Sequence, residues 1–83
     1  MNKYEELYLS QYINCKQYYK RINISNEDLY ELITVSNKIL SSLEYLPLNT
    51  PNNSIHQLLS YLTLLAYKDA LIDVLDERYD NTN

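Results

Sequence analysis

The chain of 83 residues contains no glycine and only two prolines, Pro47 and Pro51. Glycine adopts positive φ without steric cost, so a tight turn that needs positive φ must here use asparagine or aspartate. β-Hairpins depend on such turns more than helical connections do, and the lack of glycine therefore favours an all-α fold. The phosphate-binding loops and EF-hand calcium loops that require glycine are excluded for the same reason.

Length and composition indicate one folded domain spanning residues 1–83. A chain this short buries somewhat more than about 60% of the surface that its unfolded form exposes, which is too little for two cores. Hydrophobic residues make up 46% and charged residues 22% of the sequence, a balance typical of globular proteins and not of disordered chains. We therefore expect a single small core.

The first helix is predicted over residues 3–22. Glu5 and Glu6 would lie in its first turn and Lys20 and Arg21 in its last, where each charge complements the helix dipole. At about 100° per residue, its apolar face consists of Tyr4, Leu7, Tyr8, Tyr12, Cys15, Tyr18, Tyr19 and Ile22.

The second helix is predicted over residues 25–46. Ser25 and Asp28 resemble a capping box, and Ile24 and Leu29 occupy the positions of a hydrophobic staple. The proline after residue 46 disfavours helix at the residue before it and ends the segment. Its apolar stripe is Leu29, Leu32, Ile33, Ser36, Ile39, Leu40, Leu43 and Leu46.

Residues 47–53 are rich in proline and asparagine and form the one predicted loop. The next helix begins either at Pro51, with Thr50 as its N-cap, or at Ser54. We prefer Ser54, because Ser54 and Gln57 have the spacing of a second capping box.

The buried face of this third segment inverts midway along the chain. The sector that begins with apolar residues at Ile55 is filled by acidic residues beyond position 68. Such an inversion predicts a break at Tyr67 to Asp69, and hence helices over 54–67 and 69–79 in an antiparallel four-helix bundle. The alternative is three helices, with a long third helix whose two faces serve two partners.

The acidic residues of the last segment are spaced to line one helical face. One interpretation is a solvated face near Lys16, Lys20 or Arg21 of the first helix. The other is a docking surface for a cationic protein partner, because clustered charge raises association rates. The stripe consists of Asp69, Asp73, Asp76, Glu77 and Asp80.

Further candidate contact residues are tyrosines, which are enriched at protein interfaces. Tyr79 lies on the acidic segment, while Tyr30 and Tyr45 lie outside the apolar stripe of the second helix. Leu9 and Ile13 form an apolar i,i+4 patch on the polar side of the first helix. The oligomeric state stays open at this point.

Catalysis is not expected from this chain. It has one histidine, His56, and one cysteine, Cys15, and it lacks the paired spacings typical of zinc ligands. We therefore predict no enzymatic activity, no cofactor and no metal. A net charge of −4 and a pI near 4.7 oppose binding to nucleic acid. With no signal-peptide pattern and no apolar run of about 20 residues, a cytoplasmic protein is expected.

Short strings resemble the cytosolic immunity proteins that protect bacteria from their own class II bacteriocins. Ile24-Ser25-Asn26-Glu27, Lys38-Ile39-Leu40 and Glu44-Tyr45-Leu46-Pro47 are similar to the second-helix region of a lactococcin A-type immunity protein. Leu59-Ser60-Tyr61-Leu62 and Ala66-Tyr67 are similar to the third helix of an enterocin A-type one. These strings fall within residues 24–67.

The resemblance implies a four-helix antiparallel bundle that acts at the inner face of the membrane. Its partner would be a membrane-embedded sugar permease with bound bacteriocin, and binding would block pore formation. In that family the C-terminal half sets which bacteriocin is recognised, which would fall here on the last helix. The alternative function is a phage or plasmid accessory protein that inhibits a host protein through the acidic face.

Overall fold

A computed structural model describes residues 2–44 and 51–81. These residues form three α-helices: α1 over Lys3–Arg21, α2 over Asn26–Glu44 and α3 over Pro51–Asn81. The described residues do not include Tyr45, the predicted end of the second helix at Leu46, or residues 47–50 of the predicted loop. The all-α prediction is confirmed for the described part of the chain.

The ends of α1 follow the local signals in the sequence. Asn2 caps the helix, because its Oδ1 accepts a hydrogen bond from the backbone N–H of Glu5 at 2.9 Å. At the other end Ile22 is extended and its N–H donates to the carbonyl of Tyr18 at 3.2 Å. The prediction of a first helix over 3–22 is therefore confirmed to within one residue.

The start of α2 is set by the predicted cap and staple. The Ser25 hydroxyl accepts a hydrogen bond from the backbone N–H of Asp28 at 3.1 Å. Ile24 packs against the core cluster that contains Leu29, as a hydrophobic staple requires. No described residue has positive φ, so the connection between α1 and α2 uses extended backbone and needs no glycine.

The third helix is continuous through Tyr67 to Asp69, so the predicted break is wrong and the four-helix bundle is not formed by the described residues. Its start at Pro51 also shows that the preference for Ser54 was wrong; proline is favoured at a first helical position. The alternative of three helices with a long third one is confirmed. The face inverts without a break because α1 covers the acidic side of α3 and α2 covers the apolar side.

α3 lies between the other two helices. Tyr8 contacts Asp69 and Tyr12 contacts Asp73. Residue numbers therefore increase in the same direction along both helices, and α1 runs parallel to α3. The start of α2 meets the end of α3, where Arg78 donates to the carbonyl of Ile24 at 2.6 Å, and α2 then runs back along α3. The result is a flat layer measuring 48 × 28 × 18 Å.

The core lies between α2 and the C-terminal half of α3. Within the described part of the chain, its buried hydrophobic residues are Leu29, Leu40, Ala66, Ala70, Leu71, Val74 and Leu75. The sequence predicts a buried apolar sector that begins at Ile55, but Ile55 is 55% and Leu58 42% exposed. The helices of the described residues include none that is both long enough and apolar enough to cross a membrane.

Candidate functional site

The acidic stripe of α3 meets α1 through a series of equally spaced contacts. The Tyr8 hydroxyl donates to Asp69 and the Tyr12 hydroxyl donates to Asp73, each pair 61 positions apart in the sequence. One turn further, Lys16 forms an ion pair with Glu77. Both helices place these side chains at i,i+4 spacing, so the two rows stay in register because the helices are parallel.

Glu77 is held by two lysines of α1. Its two carboxylate oxygens lie 2.8 Å from Lys16 Nζ and 3.1 Å from Lys20 Nζ. The hydrogen bonds from Lys16 and then Lys20 lower the pKa of Glu77, and the bond to Glu77 raises the pKa of Lys16. The interpretation that placed α1 lysines beside the acidic stripe is confirmed for these two residues.

We expect the carboxyl group of Glu77 to titrate below its ordinary value in a pH series followed by NMR. Because the folded-state pKa is lowered, the ion pairs stabilise the protein above the unfolded pKa, and this stability is lost as the pH falls through the folded pKa. Lys16→Ala with Lys20→Ala should return the midpoint towards its ordinary value, and added salt should do so partly. A midpoint that responds to neither change would contradict the ion pairs.

Tyr8 and Tyr12 lie with their rings stacked, at a centroid distance of 6.3 Å and an interplanar angle of 11°. The hydrogen bond to Asp69, followed by burial, raises the pKa of Tyr8 to about 12. The bond to Asp73 raises the pKa of Tyr12 in the same way. Both phenols are therefore held neutral as donors, and each carboxylate accepts from a neutral group.

The raised pKa of Tyr8 predicts a loss of stability in alkali. The neutral phenol stabilises the fold fully below the unfolded pKa of about 10, and this contribution is lost as the pH rises towards the folded value of about 12. We expect the urea midpoint to fall across that window in the wild type and to fall less in Tyr8→Phe. Tyr4→Phe, at a residue that is 42% exposed, is the matched control and should retain the wild-type fall.

Two further tyrosine pairs tie α3 to its neighbours. The hydroxyls of Tyr19 and Tyr67 are 2.9 Å apart, and their rings meet edge to face at 5.7 Å. Burial, with the hydrogen bond to Tyr19, raises the pKa of Tyr67. On the other side of α3 the hydroxyls of Tyr30 and Tyr79 lie 3.4 Å apart, and that contact raises the pKa of Tyr30.

The predicted contact residues thus fall into two sets. Asp69, Asp73 and Glu77 lie half-buried against α1, whereas Asp76 and Asp80 are exposed. Tyr30 and Tyr79 are exposed and contact each other, and Tyr45 lies outside the described residues.

The sequence did not predict that tyrosines of α1 face the acidic stripe. The periodicity of the sequence places Tyr8 and Tyr12 on the apolar face of α1. Their i,i+4 spacing matches that of Asp69 and Asp73, and this match between two helices was the available signal.

Cys15 and His56 do not come together. Cys15 lies on α1, where Gln11 Nε2 is 3.5 Å from its Sγ and burial raises the thiol pKa. Cys15 lies near enough to Tyr67 to raise its pKa slightly, whereas His56 is exposed and lies eleven residues before Tyr67 on α3, about 16 Å from it along the helix axis. The described residues contain no group of three or more histidine, cysteine or acidic side chains arranged to hold a metal ion.

The open side of the contact between α1 and α3 carries two adjoining depressions, which we call the seam groove. One has a volume of about 370 Å³ and is lined by Tyr8, Leu9, Tyr12, Asp69, Ile72 and Asp73. The other, of about 400 Å³, is lined by Asn2, Tyr4, Glu5, Tyr8, Leu9 and Leu62. Because Tyr8 and Leu9 belong to both, the depressions form one continuous surface along α1.

A second groove lies between Gln11 of α1 and the part of α3 that precedes the acidic stripe. It measures about 510 Å³ and is lined by Gln11, Leu59, Ser60, Thr63, Leu64 and Tyr67. None of these lining side chains carries a charge.

Comparison with models of known protein families, with curated proteins and with solved structures gives no match.

Proposed function

We propose that the protein is a non-catalytic binding protein of the bacteriocin immunity kind. It would protect a producer cell by binding a membrane permease that carries bound bacteriocin and so blocking pore formation. The observation that carries this proposal is the number of large hydrophobic side chains that remain exposed on the three helices. Contiguous exposed apolar surface marks interaction sites, and the exposed side chains here include neighbours one turn apart on each helix: Leu9 and Ile13, Val35 and Ile39, and Ile55 and Leu58. The sequence resemblance within residues 24–67 supports the choice of partner.

The alternative function, inhibition of a host protein through the acidic face, has weaker support. Docking of a large partner across the whole stripe needs its carboxylates at the open surface, but Asp69, Asp73 and Glu77 lie half-buried against α1 and Glu77 is neutralised by two lysines. Asp76 and Asp80 are the exposed members of the stripe. Two exposed carboxylates provide little charge for steering a large partner.

The test is to express the chain in a bacteriocin-sensitive strain and to challenge the cells with pediocin-like and lactococcin-like peptides. We expect higher survival than with an empty vector. The variants Ile39→Ser and Ile55→Ser, at exposed positions, should fold normally by circular dichroism and lower that survival. No gain in survival against either class of peptide would reject the proposal.

A further inference from the structure

The seam groove combines an apolar floor with acidic walls. Leu9 is 38% exposed and Ile72 and Leu62 are half-buried, and all three line the groove. Glu5 lines one depression, and Asp69 and Asp73 line the other. The surface is thus apolar along its length and negatively charged beside it.

The charge of this groove is not compensated within the described part of the chain. Asp69 and Asp73 each accept a hydrogen bond from a neutral tyrosine, and neither carboxylate has a lysine or arginine within ion-pair distance among the described residues. The two lysines that face α3, Lys16 and Lys20, are both engaged with Glu77. Half-buried carboxylates without a counter-charge favour the approach of a cation, because screening by water is weaker there than at an open surface.

From this geometry we infer that the seam groove binds a cationic amphipathic helix of a partner protein or peptide. The helix would lay an apolar stripe on Leu9, Leu62 and Ile72 and direct lysine or arginine side chains to Asp69 and Asp73, to which arginine can bind in bidentate fashion. This inference deepens the proposed function, on which it rests for the premise that the protein acts by binding.

The dimensions of the groove suit such a helix. Its lining residues on α1 run from Asn2 to Tyr12, which corresponds to about 15 Å or roughly three helical turns. Two neighbouring helices with a depression between them provide the usual seat for a third helix, at an interaxial distance of about 8–10 Å.

Charge complementarity selects this occupant over the others. A second copy of the chain carries the same net charge of −4 and the same acidic walls, so its groove would be repelled. An anionic membrane surface would be repelled for the same reason. The second groove, which Leu59 and Leu64 line, has no charged lining side chain and therefore does not favour a cationic partner over others.

The experiment measures binding of two labelled synthetic helices to the purified full-length chain by fluorescence anisotropy. Both peptides have the same apolar stripe over about three to four turns, but one carries lysine and the other glutamate at its polar positions. We expect the lysine peptide to bind, with an affinity that falls as salt is added, and the glutamate peptide not to bind.

Matched variants localise the binding. Asp69→Asn with Asp73→Asn keeps an acceptor for each tyrosine and should raise the Kd about tenfold, which corresponds to about 1.4 kcal/mol. Leu9→Ser alters the exposed floor without removing a hydrogen bond and should also weaken binding. Glu27→Gln with Glu31→Gln neutralises two carboxylates at exposed positions of α2 and should leave the Kd unchanged.

The outcomes are decisive in either direction. Equal binding of both peptides, no binding of either, or a Kd unaffected by the groove variants would overturn the inference. Self-association in sedimentation that Leu9→Ser abolishes would overturn it in favour of a second copy. Because these measurements use purified protein, peptide binding without protection of cells would reject the proposed function alone.

Discussion

Replacing Lys68 by proline is expected to destabilise the protein by about 3 kcal/mol or more. Lys68 lies in the interior of α3, which is continuous from Pro51 to Asn81. Proline there would remove the hydrogen bond from residue 68 to the carbonyl of Leu64 and would clash with that carbonyl. The resulting kink would also shift Asp69 and Asp73 relative to Tyr8 and Tyr12, which they contact in strict register.

The measurement is urea denaturation followed by circular dichroism, with Lys68→Ala as the control. Alanine keeps the helix and should change the free energy of unfolding by about 0.5 kcal/mol or less. Since small domains are stable by only about 5–15 kcal/mol, the proline variant should have a much lower midpoint. If the two variants were equally stable, α3 would have to be interrupted near Tyr67 to Asp69, and the predicted four-helix arrangement would be favoured again.

The parts of the fold that the sequence predicted well are those decided by local chemistry. The charges at both ends of α1 and the Ser25 cap of α2 act within a few residues of the chain. Such signals do not depend on what the helix packs against, so they can be read from the sequence. The apolar stripe of α2 is confirmed in part, because Leu29 and Leu40 are buried as expected whereas Ile39 is 45% exposed.

The third helix was predicted wrongly because its pattern depends on two neighbours. A stripe that changes from Leu58 to Asp69 indicates a break if every buried position must be apolar. In this protein the side of the later half that faces α1 is polar, because tyrosine hydroxyls and lysines of α1 satisfy the carboxylates. A single-helix projection cannot contain that information, since the compensating groups lie some 60 residues earlier.

The packing of α1 against α3 also explains why the candidate site is the seam groove and not the acidic stripe that the sequence predicts. Taken alone, five acids on one helical face indicate either a solvated face or a docking surface. The structure engages Asp69, Asp73 and Glu77 with α1 and places Leu9, Leu62 and Ile72 next to them. The sequence predicts Leu9 to be an apolar residue on the polar face of α1, but its neighbours on α3 follow only from the packing.

Replacing Leu29 by alanine is expected to cost about 2–5 kcal/mol, the range for a leucine truncated in a closed core. Leu29 is fully buried, and it is the α2 member of the cluster with Leu71, Val74 and Leu75. None of the described residues of α1 is fully buried, so the cluster between α2 and α3 provides most of the closed apolar packing. In a domain this small, such a loss should leave a large unfolded fraction at growth temperature.

Leu9→Ala is the control for this prediction, since it removes the same atoms from a side chain that is 38% exposed. Its cost should stay below about 1 kcal/mol, because little apolar area returns to water and no cavity is left. The measurement is urea denaturation of both variants. If their m-values are equal, the difference between their midpoints reports the difference in the free energy of unfolding. If Leu29→Ala cost no more than Leu9→Ala, the cluster would not be closed to water, and the stability of the layer would have to come from the polar contacts between α1 and α3.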